Sequence, residues 1–88
     1  MNTTRYKTRE TVRVTVPKSI ATEWLKYIGG LSSENMILPT YSFHHAGDND
    51  VYSLEPRAGK CDILTERLTS DGYTNFTVTK PQEASITP

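Results

Sequence analysis

Hydrophobic residues first alternate with polar ones at every second position and then recur at helical spacing. This succession of two patterns occurs twice along the chain. Over Thr11–Val16, valines occupy every second position, which is typical of a strand with one buried face. Apolar residues at helical spacing come next, at Ile20, Ala21, Trp24, Leu25 and Ile28. This first unit predicts a strand followed by an amphipathic helix.

Proline and glycine set the predicted ends of this unit. Pro17 has no backbone N–H, so the strand is expected to stop there, and its fixed φ suits a helix entry with Ser19 as N-cap. The pair Gly29-Gly30 predicts the end of the helix, because glycine adopts the left-handed conformation of a helix C-terminus without steric cost.

The second half repeats the pattern after a less regular middle. Residues 36–43 predict a strand that Pro39 restricts to a sheet edge or a bulge. Turn-forming residues at 46–50 predict a hairpin with His44–Val51 as its tip. The remaining predicted elements are a strand around Tyr52–Leu54, a helix over Lys60–Asp71 that stops at Gly72, and a strand over Thr74–Thr79.

The order strand, helix, strand, strand, helix, strand predicts an α+β fold. It is the order of a small ferredoxin-like (βαββαβ) two-layer sandwich, in which a four-stranded antiparallel sheet carries both helices on one face. The predicted core comprises Val12, Val14, Val16, Trp24, Leu25, Ile28, Leu64, Leu68, Phe76 and Val78. The residues predicted to face solvent or a partner are Thr11, Arg13, Thr15, Thr77 and Thr79.

Length and composition predict one small intracellular domain. The 88 residues divide into a polar basic arm at 1–9, an α+β domain at 10–80 and a polar tail at 81–88. The lone Cys61 excludes an internal disulfide and fits a reducing compartment. Neither a secretory signal nor an apolar run of about 20 residues is present, so we expect a cytoplasmic protein with no membrane segment.

The charges balance over the whole chain but are sorted along it. Residues 1–30 hold six basic and two acidic residues, and residues 31–88 hold four basic and eight acidic ones. The basic residues of the N-terminal segment are therefore the candidate partner-binding residues: Arg5, Lys7, Arg9, Arg13 and Lys18. A neutral total argues against broad nonspecific affinity for nucleic acid, which grows with the number of phosphates neutralised.

No arrangement of side chains predicts catalysis or a metal site. His44, His45, Asp48 and Asp50 lie within seven residues, but adjacent strand residues point to opposite faces and the spacing matches no common zinc or calcium pattern. Cys61 lies on the apolar stripe of the second helix, where a free cysteine acts as a small hydrophobe. We therefore expect a protein that is not an enzyme and has no cofactor.

Part of the chain resembles a DNA-binding module. Val14–Ala21, followed by a helix and by paired strands that end at Leu54–Pro56, is similar to the swapped-hairpin module of antitoxins and growth-transition regulators. The Pro-Gly-Asp turn of that family is missing here. The resemblance implies DNA contacts by Arg9, Arg13 and Lys18.

Ribbon-helix-helix repressors have a similar opening strand, which in that class enters the major groove. Their second helix should begin near Ser32 or Ser33. Pro39 and the alternating Tyr41 and Phe43 argue against such a helix.

The sequence thus favours a non-catalytic binding protein, an accessory regulator or inhibitor that acts on a macromolecular protein partner. Virus-encoded inhibitors of host machinery are one class with this size and composition. The alternative is a dimeric DNA-binding transcriptional regulator or antitoxin that uses the basic N-terminal strand and helix. A homodimer is compatible with either function.

Overall fold

The computed structural model of the protein describes residues 10–80, which form four strands and two helices. The elements are β1 (Thr11–Pro17), a short 3-10 helix (Lys18–Ile20), α1 (Ala21–Ser33), β2 (Ser42–Ala46), β3 (Asn49–Leu54), α2 (Cys61–Ser70) and β4 (Phe76–Thr79). The predicted basic arm at 1–9 and polar tail at 81–88 lie outside the described residues.

The four strands form one antiparallel sheet in the order β2-β3-β1-β4. The central strand β1 pairs with β3 along one edge and with β4 along the other. The predicted α+β class, with a four-stranded antiparallel sheet and two helices, is confirmed.

One hydrophobic core lies between the helices and a single face of the sheet. Alternate residues of β1 and β3 are buried on this face, which we call the inner face, as the sequence pattern predicted for β1. The buried apolar residues are Val12, Val14, Val16, Trp24, Ile28, Leu31, Met36, Ile37, Tyr52, Leu54, Cys61, Leu64 and Leu68. Phe76 and Val78 are partly buried against them. Both helices therefore pack on the inner face.

Trp24 is the centre of an aromatic cluster in this core. Its ring centroid lies 4.9 Å from that of Tyr73 and 5.6 Å from those of Tyr27 and Tyr52. The Tyr27 hydroxyl donates a hydrogen bond of 2.7 Å to Asp71 Oδ2, just beyond α2. Burial and this hydrogen bond raise the pKa of Tyr27. The cluster joins α1 to β3 and to the end of α2.

The predicted end of α1 at Gly29-Gly30 is wrong, because the helix continues to Ser33. Leu31 is buried in the core, and packing of that extra turn outweighs the cost of glycine in a helix, about 0.5 to 1 kcal/mol each. Asn35, with φ +61°, is the left-handed residue that ends the helix. Its N–H bonds Ser32 O, and the Met36 N–H bonds Leu31 O, as in a Schellman motif.

Leu25 was predicted to lie in the core, and this prediction is wrong because its side chain is 43% exposed. The buried residues of α1 are Trp24, Ile28 and Leu31. Successive helical residues are about 100° apart, so Leu25 lies on the flank of that stripe. Tyr27 lies on the opposite flank, which faces α2.

The hairpin was also predicted in the wrong place. A strand was predicted over residues 36–43, but strand β2 begins only at Ser42. The earlier part of that segment makes one isolated bridge, between Ile37 and Pro56. The hairpin tip is the two-residue loop Gly47-Asp48 rather than His44–Val51. Gly47, with φ +66°, supplies the positive φ that tight hairpin loops require, so the strands pair up to this loop.

Replacing the two glycines inside α1 is expected to stabilise the protein. Nothing lies within 4 Å of a Cβ added at Gly29 or Gly30. Gly29→Ala and Gly30→Ala should each raise the free energy of unfolding by about 0.5 to 1 kcal/mol, measured by urea denaturation. Gly72→Ala is the control that should destabilise, because its φ of +90° strains any side chain. Destabilisation by both helical substitutions would contradict this account of α1.

Candidate binding surface

The sheet face opposite the core carries no helix within residues 10–80, and we call it the outer face. Its side chains come from alternate positions of all four strands. They are Thr11, Arg13 and Thr15 of β1, Ser42, His44 and Ala46 of β2, Asn49, Val51 and Ser53 of β3, and Thr77 and Thr79 of β4. The residues predicted from alternation to point outward are therefore placed there.

Arg13 lies in the middle of the outer face. The strand register sets it opposite Ser53 on one side and Thr77 on the other, and Ser53 is in turn opposite Ser42. Arg13 and Thr77 are exposed. Among the outward-facing strand residues of the described chain, Arg13 is the only Lys, Arg, Asp or Glu. The surface is thus a row of hydroxyl groups around one guanidinium.

Of the other predicted partner-binding residues, one falls in the described part of the chain. Lys18 is exposed in the 3-10 helix that follows β1, and its backbone N–H bonds Asp48 O in the β2–β3 loop. Arg5, Lys7 and Arg9 lie outside the described residues. The structure therefore places Arg13 on the outer face and Lys18 at the end of the same strand.

Both edges of β1 are hydrogen-bonded within the sheet. Over Val12–Val14 the strand pairs on both sides, so its backbone groups there are not free for a second chain. β1 is not available as an intermolecular ribbon of the kind that ribbon-helix-helix repressors use.

The two histidines lie on opposite faces of β2. His44 is opposite Val51 on the outer face, whereas His45 is opposite Asp50 on the inner face. His45 Nδ1 lies 2.6 Å from Asp50 Oδ1, a hydrogen bond between a 67% exposed imidazole and an 8% exposed carboxylate. Across residues 10–80, no three His, Cys, Asp or Glu side chains come together as metal ligands.

Cys61 is buried at the start of α2. Burial raises the pKa of its thiol, with a smaller contribution from the charge of Glu10. A thiol with a raised pKa is less ionised at neutral pH and a weaker nucleophile. This environment is that of a core residue.

Two aromatic side chains on the inner face were not identified as surface residues from the sequence. Phe43 is 49% exposed and Tyr41 is 40% exposed, although both rings lie over the buried Tyr52. The Phe43 and Tyr52 rings stack with centroids 4.9 Å apart, and those of Tyr41 and Tyr52 are 5.6 Å apart. We call Tyr41, Phe43 and His45 the β2 patch. The alternation of Tyr41, Phe43 and His45 is the sequence feature that could have placed these three rings on one face of the strand.

In the part of the chain that the structure describes, neither helix is both long and apolar enough to cross a membrane. Comparison of the chain with protein-family models, with curated proteins and with solved structures gave no match.

Proposed function

We propose that the protein is a non-catalytic binding protein, an accessory regulator or inhibitor whose outer face binds a macromolecular protein partner in the cytoplasm. The observation that carries the proposal is Arg13, a single exposed guanidinium at the centre of a hydroxyl-rich sheet face; Glu55, just past β3, lies at the edge of this face beside Thr11, Ser42 and Ser53. A guanidinium binds carboxylates through two parallel hydrogen bonds, so an acidic protein surface suits this face. Arg5, Lys7, Arg9 and Lys18 would extend the contact.

The chemistry of the outer face favours protein over nucleic acid. Single-stranded RNA bound on such a sheet stacks on several aromatic side chains, whereas the outer positions of the described strands hold no Phe, Tyr or Trp and one histidine, His44. Duplex DNA is held by many cations, each neutralising a phosphate, whereas the outer positions of the described strands carry one, Arg13. Hydroxyl groups beside Arg13 can donate to and accept from a partner backbone.

We also propose that the arrangement of elements is a ferredoxin-like fold. Two observations support this assignment: the chain order β1, α1, β2, β3, α2, β4, and the position of β1 between β3 and β4 in the sheet. Such a fold leaves one sheet face uncovered by helices, which is the face proposed for binding.

Charge reversal at Arg13 tests the proposed surface. Wild-type protein would be used to capture partners from a lysate of the source cells, and a captured protein would be purified for kinetic measurement. Arg13→Glu should slow its association by about tenfold at low salt, because exposed charges act mainly on the encounter rate. The fold should persist, since exposed substitutions usually cost under about 0.5 kcal/mol.

Lys26→Glu is the matched control, an identical charge change at an exposed position of α1. Association that is slowed equally by both variants, or by neither, would exclude the outer face as the interface. The DNA-binding alternative has its own outcome in the same set of proteins. Binding of random duplex DNA that weakens steeply with salt and is lost in Arg13→Glu would favour the transcriptional regulator.

A further inference from the structure

We infer that β2 is a dimerisation strand, along which two copies of this chain pair antiparallel to form one eight-stranded sheet. The inference is independent of the proposed partner surface, because it concerns the free edge of β2 and not the outer face around Arg13. It assigns a specific interface to the homodimer that the sequence allowed.

The backbone of β2 has one unpaired edge. The strand is at one end of the sheet and pairs only with β3 among the described strands. An edge of this kind presents a row of N–H and C=O groups that can pair with another strand. All five residues of β2 are exposed, so no described part of the chain covers it.

This edge also lacks the residues that usually prevent pairing. Edge strands are commonly protected by lysine, by proline or by inward-pointing charges. Residues 41–47 contain no proline and no Lys, Arg, Asp or Glu. The other edge strand, β4, is followed directly by Lys80 and Pro81. β2 is the unprotected edge of the two.

Charge and symmetry both favour a second copy of this chain as the strand that pairs with the free edge of β2. An antiparallel strand pair centred on His44 sets Phe43 of each copy opposite His45 of the other, on the inner face, and Ser42 opposite Ala46. No like formal charges then meet, whereas a strongly charged peptide would find no countercharge on β2. Within one chain Phe43 and His45 already make an edge-to-face contact at 5.8 Å, and the dimer would repeat that pairing between chains.

The β2 patch supplies the apolar surface of the interface. Phe43 and Tyr41 are both at least 40% exposed, and a strand added beside β2 would cover the open side of their rings. The contact is small, since five residues pair on each copy. A dissociation constant in the micromolar range is therefore expected, because small interfaces are typical of weak association.

Sedimentation equilibrium tests the inference directly. The full chain at about 10 to 500 µM, a range suited to a small interface, should fit a monomer–dimer equilibrium with no larger species. Phe43→Lys should weaken dimerisation at least about tenfold, because it places a charge on each strand at the interface. Thr77→Lys puts the same charge on the other edge strand and should leave the equilibrium unchanged.

A disulfide cross-link provides a second readout that does not depend on the Phe43 variant folding. In the proposed register His44 of one copy lies opposite His44 of the other copy. His44→Cys should therefore form a disulfide-linked dimer under mild oxidation. Thr77→Cys should not, and Cys61 is buried in both proteins. A wild-type chain that stays monomeric throughout, species larger than a dimer, or equal cross-linking of the two cysteine variants would each overturn the inference.

Discussion

Trp24→Ala is expected to unfold the domain largely. Trp24 is fully buried, and its ring contacts Tyr27, Tyr52 and Tyr73 from three different parts of the chain. Truncating a buried tryptophan costs about 3 to 5 kcal/mol, and a domain of this size has about 5 to 10 kcal/mol of stability in total. Thermal and urea denaturation followed by far-ultraviolet circular dichroism would measure the loss.

Two variants separate this packing role from other effects. Leu25→Ala changes the next residue of α1, which is half-exposed, and should cost about 1 kcal/mol or less. Trp24→Phe should lie between the two, because it keeps a ring. The indole Nε1 has no hydrogen-bond partner in the described structure, so the benefit of tryptophan comes from packing. A Trp24→Ala protein that melts near the wild-type temperature would contradict this account of the core.

Strict periodicity made the central strand β1 and the helix α2 predictable. The alternation of Val12, Val14 and Val16 is a direct record of a strand with one buried face, because successive side chains point in opposite directions. For α2, the spacing of Leu64 and Leu68 indicates a helix with one buried face, and Gly72 indicates where that helix ends. Gly72 has φ +90°, and its N–H bonds Thr69 O. Local chemistry and tertiary packing agree at these sites.

The end of α1 could not be predicted, because local chemistry and packing disagree there. Glycine is a poor helix former, so Gly29-Gly30 is the strongest local stop signal in the segment. The buried Leu31 and the Asn35 cap one turn later decide the outcome instead. Because the helix was predicted to end too early, its buried face was also predicted wrongly. With Leu31 included, the buried face is centred on Trp24, Ile28 and Leu31, and Leu25 lies on its flank.

The outer face was predictable from alternation, but the β2 patch was not. Arg13 points outward because its neighbours Val12 and Val14 point inward. The exposure of Phe43 depends on something no local pattern contains, namely which strands the two helices cover. α1 contacts β3 through Trp24 and Tyr52, and α2 lies beside β4 near Phe76 and Val78. The inner face of β2 is left open.

Asp50 gives the second large effect expected, through its contact with His45. Asp50 is the one buried charged side chain among the described residues, and its carboxylate lies on the inner face. Its hydrogen bond at 2.6 Å comes from His45, whose ring is mostly exposed. A buried carboxylate that loses a partner retains the cost of desolvation. His45 therefore contributes more to the stability of the fold than its exposed position suggests.

His45→Ala should lower the free energy of unfolding by about 1 to 3 kcal/mol, measured by urea denaturation in dilute solution. His44→Ala is the matched control on the same strand, and it should change stability by under about 0.5 kcal/mol because its ring faces solvent on the outer face. If Asp50 is the cause, His45→Ala should cost no more than His44→Ala when both are made in an Asp50→Ala background. Equal losses for the two histidines in the wild-type background would show instead that the Asp50 carboxylate does not depend on His45.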